Sequence, residues 1–316
     1  MLYEKALDAR PDDTCIMGDA AELMLQLGRT EQAKQVLARS IALRPQEGPD
    51  QYLYMAQLHE GRQALGFYEK GMVLLQKQLE NGVDGAKGEA ASLKQRLCMA
   101  HCGVGELFLT DLCFEEDAEQ RCQEALDQSM TYDYGGPEPL HALANLRLSQ
   151  GRSKDAAQFA EEAFRRLRLC EPPPDQESRV SLAKILMECS AVENKCCDKA
   201  LEILGGLMQE DDENVELWYL MAVAFNGLNP PDYESARCHL NTASEMLEKI
   251  RTAQKEAGEE FAFEEQVQLV EEQLNLVARA AEDDMESEEK GADKLHMSDK
   301  ADAASIRDDE TQMDCG

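Results

Sequence analysis

A repeat is the strongest constraint on how this chain folds. Pro11 and Pro45 lie 34 residues apart, each following a small residue, Ala6 or Ser40, at the same distance. Between them Ala20, Ala21, Ala33, Leu37 and Ser40 put small or compact residues where two helices would touch, and Gly28 stands where the chain would turn. A small-x3-large-x2-small signature then recurs at Ala64/Tyr68/Gly71, Ala118/Cys122/Ala125, Ala156/Ala160/Ala163, Ala200/Leu204/Leu207 and Ala236/Leu240/Ala243. Companion first helices show at Tyr52/Met55/Ala56, Leu140/Leu143/Ala144 and Trp218/Met221/Ala222/Phe225. Small residues let paired helices approach closely, while the large ones fill the space between neighbouring pairs. Proline clusters at Glu171-Pro172-Pro173-Pro174 and Asn229-Pro230-Pro231, and glycine at Asn81 to Gly88. The periodicity resumes on both sides, so these are joints between repeats.

The spacing resembles the tetratricopeptide repeat. The fold class expected is therefore all-α, a tetratricopeptide-repeat (TPR) superhelical solenoid of about six helix pairs. The chain opens on what reads as a second helix lacking its first partner, either a truncated repeat or a half-repeat packed as a cap. Phe261 to Ala281 carries Phe263, Val267, Val270, Leu274 and Val277 at helical spacing, with glutamates between. That is the capping helix a solenoid needs over its open end. Residues 1–281 thus read as one repeat domain with an incomplete first repeat. From Glu282 to Gly316 thirteen acidic residues stand against four basic ones without apolar periodicity, which predicts an acidic disordered tail over 282–316.

Charge narrows the partners. Lys plus Arg number 32 against 63 Asp plus Glu, a net charge of −31. Direct nucleic-acid binding needs clustered cations, so the charge points to a basic protein ligand instead. The N-terminus lacks a basic-then-apolar leader pattern, and the longest uncharged run, Leu217 to Pro231, is too short to span a bilayer. A soluble intracellular protein with no membrane partner is expected. Eleven cysteines scattered through helical patterns read as reduced, mostly buried thiols.

Catalytic chemistry is hard to find. None of His59, His101, His141, His239 and His296 sits in a motif with a nucleophile, and no phosphate-binding glycine loop occurs. No enzyme activity and no cofactor are expected. Cys98, His101, Cys102 and Cys113 could be drawn as zinc ligands, with Cys98 and Cys102 on one helix face, but the spacing fits no common zinc module. Cysteine replaces alanine readily at helix crossings, so packing is the better reading, as it is for Cys189, Cys196 and Cys197. The cations of Phe164-Arg165-Arg166-Leu167-Arg168 suit a helix C-terminus as well as an import or anion patch.

In repeats of this kind the first helix of each pair lines the concave groove at about its second, fifth, ninth and twelfth positions. Carried onto this chain, those positions are Asp50, Leu53, Gln57 and Glu60; Glu138, His141, Asn145 and Leu148; and Glu216, Tyr219, Val223 and Asn226. The expected groove is acidic with apolar and amide steps, suited to a basic extended segment. The carboxylate clamp of co-chaperones is not expected, because Gly18 and Glu22 stand where its lysine and asparagine would.

Two longer blocks carry a closer likeness. Tyr52 to Gly61 followed by Ala64-Leu65 and Tyr68-Glu69-Lys70-Gly71, and Cys122 to Met130 followed by Pro137-Glu138 and His141 to Gln150, resemble the dedicated assembly chaperones of large-subunit ribosomal protein L-four. With Trp218 to Phe225 and the acidic tail, the likeness covers most of the chain. Members of that family begin with at least one more helix and a polar stretch, so the start is the main departure. The resemblance implies a chaperone that wraps the long basic loop of the newly made ribosomal protein, escorts it between cytoplasm and nucleus, and releases it at the pre-ribosome. Groove carboxylates would pair with the loop's Lys and Arg, amides would bond its backbone, and Leu53, Tyr219 and Val223 would take apolar side chains. Nuclear import receptors would be engaged only indirectly. The competing expectation is a general TPR scaffold or adaptor holding another protein complex.

Overall fold

The computed structural model describes residues 7, 9–82 and 87–285, and among them every regular element is a helix. The helices come in antiparallel pairs: α1 (Thr14–Gln26) with α2 (Thr30–Leu43), α3 (Pro49–Gln57) with α4 (Gly61–Glu80), and α5 (Lys87–Leu109) with α6 (Ala118–Thr131). Then follow α7 (Glu138–Ser149) with α8 (Ser153–Leu167), α9 (Gln176–Cys189) and α10 (Cys196–Glu210), and α11 (Val215–Asn226) with α12 (Tyr233–Ala257). A last helix, α13, covers 264–285. The chain is an all-α tetratricopeptide-type solenoid. The opening half-repeat, the middle of the glycine-rich joint and most of the acidic tail fall on residues outside those described. The sequence reading treats 1–281 as one domain; the contacts gather into two compact units, Met1–Ile185 and Leu186–Gly316, which divide within α9.

In the first unit the small residues of the repeat signature are where helices cross. Ala33, Leu37, Ser40, Ala64, Ala156, Ala160 and Ala163 are all fully buried. A β-carbon on Gly71 of α4 would come within 2.8 Å of Leu53 Cδ2 on α3, and one on Gly105 of α5 within 2.6 Å of Leu126 Cδ2 on α6. Each pair buries its apolar face on the next: Leu65 of α4, Val104 and Phe108 of α5, Cys122 and Leu126 of α6, and Leu143 and Leu146 of α7 form one cluster. The same turn closes two pairs. Gly28 and Gly151 adopt φ of 70° and 69°, and the arginine after each donates its N–H to a carbonyl five residues back at 2.8 Å, Arg29 to Met24 and Arg152 to Arg147. A left-handed residue there satisfies carbonyls that the ending helix leaves open, and only glycine adopts it without strain.

The second unit is built around Ala222 of α11, Ala236, Leu240, Ala243 and Leu247 of α12, and Val270 and Val277 of α13. Phe263, Val267 and Leu274 pack against the same cluster, so the apolar stripe expected of the capping helix faces the core. Asn214 caps α11 by accepting from the Glu216 N–H, and Asp232 caps α12 by accepting from Ser235.

The cysteines follow the packing reading only in part: Cys102 and Cys170 are half-buried, and Cys15, Cys113 and Cys238 are exposed. Cys98, Cys122, Cys189, Cys196 and Cys197 are buried, no disulfide joins the described cysteines, and no group of three or more His, Cys, Asp or Glu among the described residues is placed to hold a metal ion. Cys98 and Cys102 touch thiol to thiol, which together with burial raises the pKa of Cys98. The arginine cluster at the end of α8 is likewise engaged. Arg166 donates to Asp133 at 2.7 Å and to the Gly136 carbonyl at 3.1 Å, and Arg165 pairs with Glu162. No described helix is long and apolar enough to cross a membrane.

Candidate functional site

The first helices of four successive pairs bring one face of the first unit together around a cleft of about 480 Å³. Leu53 and Gln57 come from α3, Glu138, His141 and Asn145 from α7, five of the residues expected from the sequence. The other two elements were not mapped from the sequence. From α5 come Met99, Cys102, Gly103, Glu106 and Leu109, and from the start of α9 Glu177, Ser178 and Ser181, with Asp175 just ahead of it. Tyr68 of α4 reaches the same cleft by lying against Gly103, whose missing side chain leaves room for the phenol.

Glu106, Glu138, Asp175 and Glu177 make four carboxylates in the wall, and the described lining residues include no Lys or Arg. Burial, then the Glu177 and Asp111 carboxylates, hold the Glu106 carboxyl above its ordinary range. Glu106 and Glu177 are thus brought together as like charges, while Arg179 donates to the Asp175 carbonyl at 3.4 Å and lines an adjoining hollow with Glu138 and His141. Burial also pushes the Tyr68 hydroxyl up to about 12, with Glu106 adding to the shift. His141, whose Nε2 lies 3.0 Å from Ser181 Oγ, is lowered to about 4 by burial and is neutral at physiological pH. It contributes no positive charge. Glu138 accepts from the Tyr134 hydroxyl, which fixes its carboxylate at the mouth of α7.

The remaining expected residues lie elsewhere. Asp50 is half-buried and paired with Arg96 Nε of α5 at 3.0 Å, so its charge is met from within the protein. Glu60 is exposed at the N-cap position of α4 and does not line the cleft. In the second unit Glu216 is exposed in the first turn of α11. Tyr219 packs against the apolar cluster there, Val223 is half-buried, and Asn226 ends the helix with Oδ1 buried and no hydrogen-bond partner.

The missed α5 residues obey the same arithmetic as the found ones. The steps from Asp50 to Leu53, Gln57 and Glu60 are reproduced from Arg96 to Met99, Gly103 and Glu106. Three of those four line the cleft, and the fourth is the cation that pairs with Asp50.

Comparison with known proteins agrees with the repeat and with the closer likeness. The family model of the tetratricopeptide repeat matches residues 1–58. A fission-yeast protein (Schizosaccharomyces pombe) described as "Probable assembly chaperone of rpl4" is 29% identical over 232 residues, 70% of this chain and 66% of that protein. Its counterpart by description in Emericella nidulans is 28% identical over 233 residues, 69% of this chain and 56% of that protein. The chain therefore spans just under two thirds and just over half of these relatives. The solved structure of an "Assembly Chaperone of RpL4 (Acl4)", residues 1–338, superposes with a TM-score of 0.60 at 26% identity, covering 67% of this chain and 82% of that one.

Proposed function

We propose that the chain is a dedicated chaperone of large-subunit ribosomal protein L-four, the rpl4 of its relatives' descriptions, and that it holds a basic extended segment of that protein in the cleft of the first unit. The observation that carries this reading is the charge of the cleft: four carboxylates from α5, α7 and α9 and the residue preceding α9, with no lining cation and a neutral histidine. An acidic channel across successive helices suits a chain that is extended and rich in Lys and Arg. Glu106, Glu138, Asp175 and Glu177 pair with its cations. Gln57 and Asn145, exposed on α3 and α7, reach its backbone, and Leu53, Met99 and Leu109 supply apolar steps.

The chain acts by binding and carries out no reaction in this reading. Its working places are the cytoplasm and the nucleus, with import receptors and nucleic acid met only through the cargo. Since Glu106, Asp175 and Glu177 are exposed and Glu138 is half-buried, salt weakens capture and mainly slows association. The test is a pull-down from cell extract at low and moderate salt, with mass spectrometry of stoichiometric partners and the isolated basic loop as competitor. The proposal expects ribosomal protein L-four to be recovered and then displaced by the loop. Recovery of an unrelated complex, with no ribosomal protein enriched, would overturn it in favour of a general scaffold.

A further inference from the structure

The turn that follows α5, residues 110–117, holds Phe114 with 98% of its surface in solvent. The other seven phenylalanines, Phe67, Phe108, Phe159, Phe164, Phe225, Phe261 and Phe263, are buried or half-buried. A single exposed apolar residue on a slack loop would need no explanation. This turn is not slack. Leu112, two residues before Phe114, is buried in the apolar cluster of the first unit, and Glu115, just after it, pairs with Arg62 at 2.9 Å and with Arg121 at 4.0 Å. Asp111 accepts the Gly61 N–H at 2.7 Å, which ties the turn to the start of α4. The N–H groups of Cys113, Glu115 and Ala118 bond to carbonyls within the turn, and that of Leu112 returns to the Leu107 carbonyl of α5. The ring is therefore presented, at an entropic cost met by folding before any partner arrives.

Its surroundings set the partner's sign. Asp111, Glu116 and Asp117 are exposed around it, while the two nearby arginines pair with Glu115 and Glu69. The C-terminal segment of this same chain is acidic and has the wrong charge to cover the ring. A basic surface with an apolar pocket has the right one. The turn also extends from the end of α5, the helix whose Glu106 and Leu109 line the cleft.

We infer that the 110–117 turn is a second docking surface for the basic ligand of the cleft, with Phe114 inserting into an apolar pocket on the part of ribosomal protein L-four outside its extended loop; this rests on the function proposed above. Aromatic anchors seated in desolvated pockets dominate protein interfaces, whereas exposed charges around them steer association.

The test compares Phe114→Ala with the parent chain against two probes, full-length ribosomal protein L-four and its isolated basic loop. The expected result is a loss of at least about tenfold in affinity for the full-length protein, with less than about a twofold change for the loop. Helicity and unfolding midpoint should be unchanged, because the ring contacts solvent. A photo-crosslinking amino acid at position 114 should attach to the full-length ligand. Affinity for the full-length protein within twofold of the parent, or crosslinks only to a second copy of this chain, would overturn the inference while leaving the cleft reading intact. If the parent chain binds neither probe, the function proposed above fails and this inference falls with it.

Discussion

Asp50 on α3 and Glu106 on α5 are both first-helix carboxylates, and burial raises both pKa values. Their neighbours differ. Asp50 has Arg96 at 3.0 Å, a pair whose Nε–H points off the hydrogen-bond line but whose charge opposes the effect of burial, while the Glu22 carboxylate adds to it. Glu106 has Glu177 and Asp111 instead, both of which push its pKa further up. The protein sets a cation against its acid at one end of this face and further acid against it at the other. An arriving Lys or Arg competes with Arg96 at Asp50, whereas at Glu106 it relieves a like-charge repulsion already present.

Charge reversal should expose this difference most strongly. Glu106→Lys combined with Glu177→Lys is expected to lower affinity for the basic loop by about 100-fold at low salt, against less than about threefold for Asp50→Lys, with both effects shrinking as salt rises. Calorimetric titration checks it; equal losses at the two positions would break the comparison. Next in size is Gly103→Ala. The new methyl would overlap the Tyr68 hydroxyl beside Glu106, so a loss of about 1–3 kcal/mol of stability is expected in urea unfolding, with weaker loop binding from the displaced phenol.

Arg96→Ala is the smaller converse. It makes the α3 side resemble the α5 side, at a cost of up to about 1 kcal/mol of stability for a partly exposed pair. Affinity for the basic loop should rise slightly, and a fall would contradict the role given to Arg96. Smallest is the pH effect of Glu106→Gln. A carboxyl with a raised folded-state pKa holds its proton in the native state over a window in which the unfolded chain has released it, so stability falls as pH climbs from the ordinary carboxylate value through the raised one. The variant lacks that fall. Its unfolding midpoint should exceed the parent's at pH 7 and lose that advantage near pH 4, as thermal unfolding across that range would show.

The helix pairing was readable because its determinants are local. Ala156/Ala160/Ala163 and Ala236/Leu240/Ala243 report the crossing of adjacent helices, and Gly28 and Gly151 report turns that only glycine adopts without strain. The α3 and α7 sides of the cleft were readable for the same reason, since Tyr52/Met55/Ala56 and Leu140/Leu143/Ala144 fix which residues face outward. The α5 side was hidden by an unusual first helix. It is 23 residues long, and places Cys98, Gly103 and Gly105 where the pattern leads one to look for alanines, so its register could be found only by carrying the spacing across from α3. The Asp50–Arg96 pair and the crowding of Glu106 by Glu177 join residues from different repeats. No local pattern reports them, because they depend on how one pair stacks upon the next.

The most direct test of the account is calorimetric titration of the isolated basic loop of ribosomal protein L-four into the full chain at two salt concentrations, for the parent and for the variant reversed at Glu106, Glu138 and Glu177. The account predicts one loop per chain, affinity that falls with salt, and loss of binding in a variant that keeps its helicity. No binding by the parent, or binding that the three reversals leave unchanged, would contradict it.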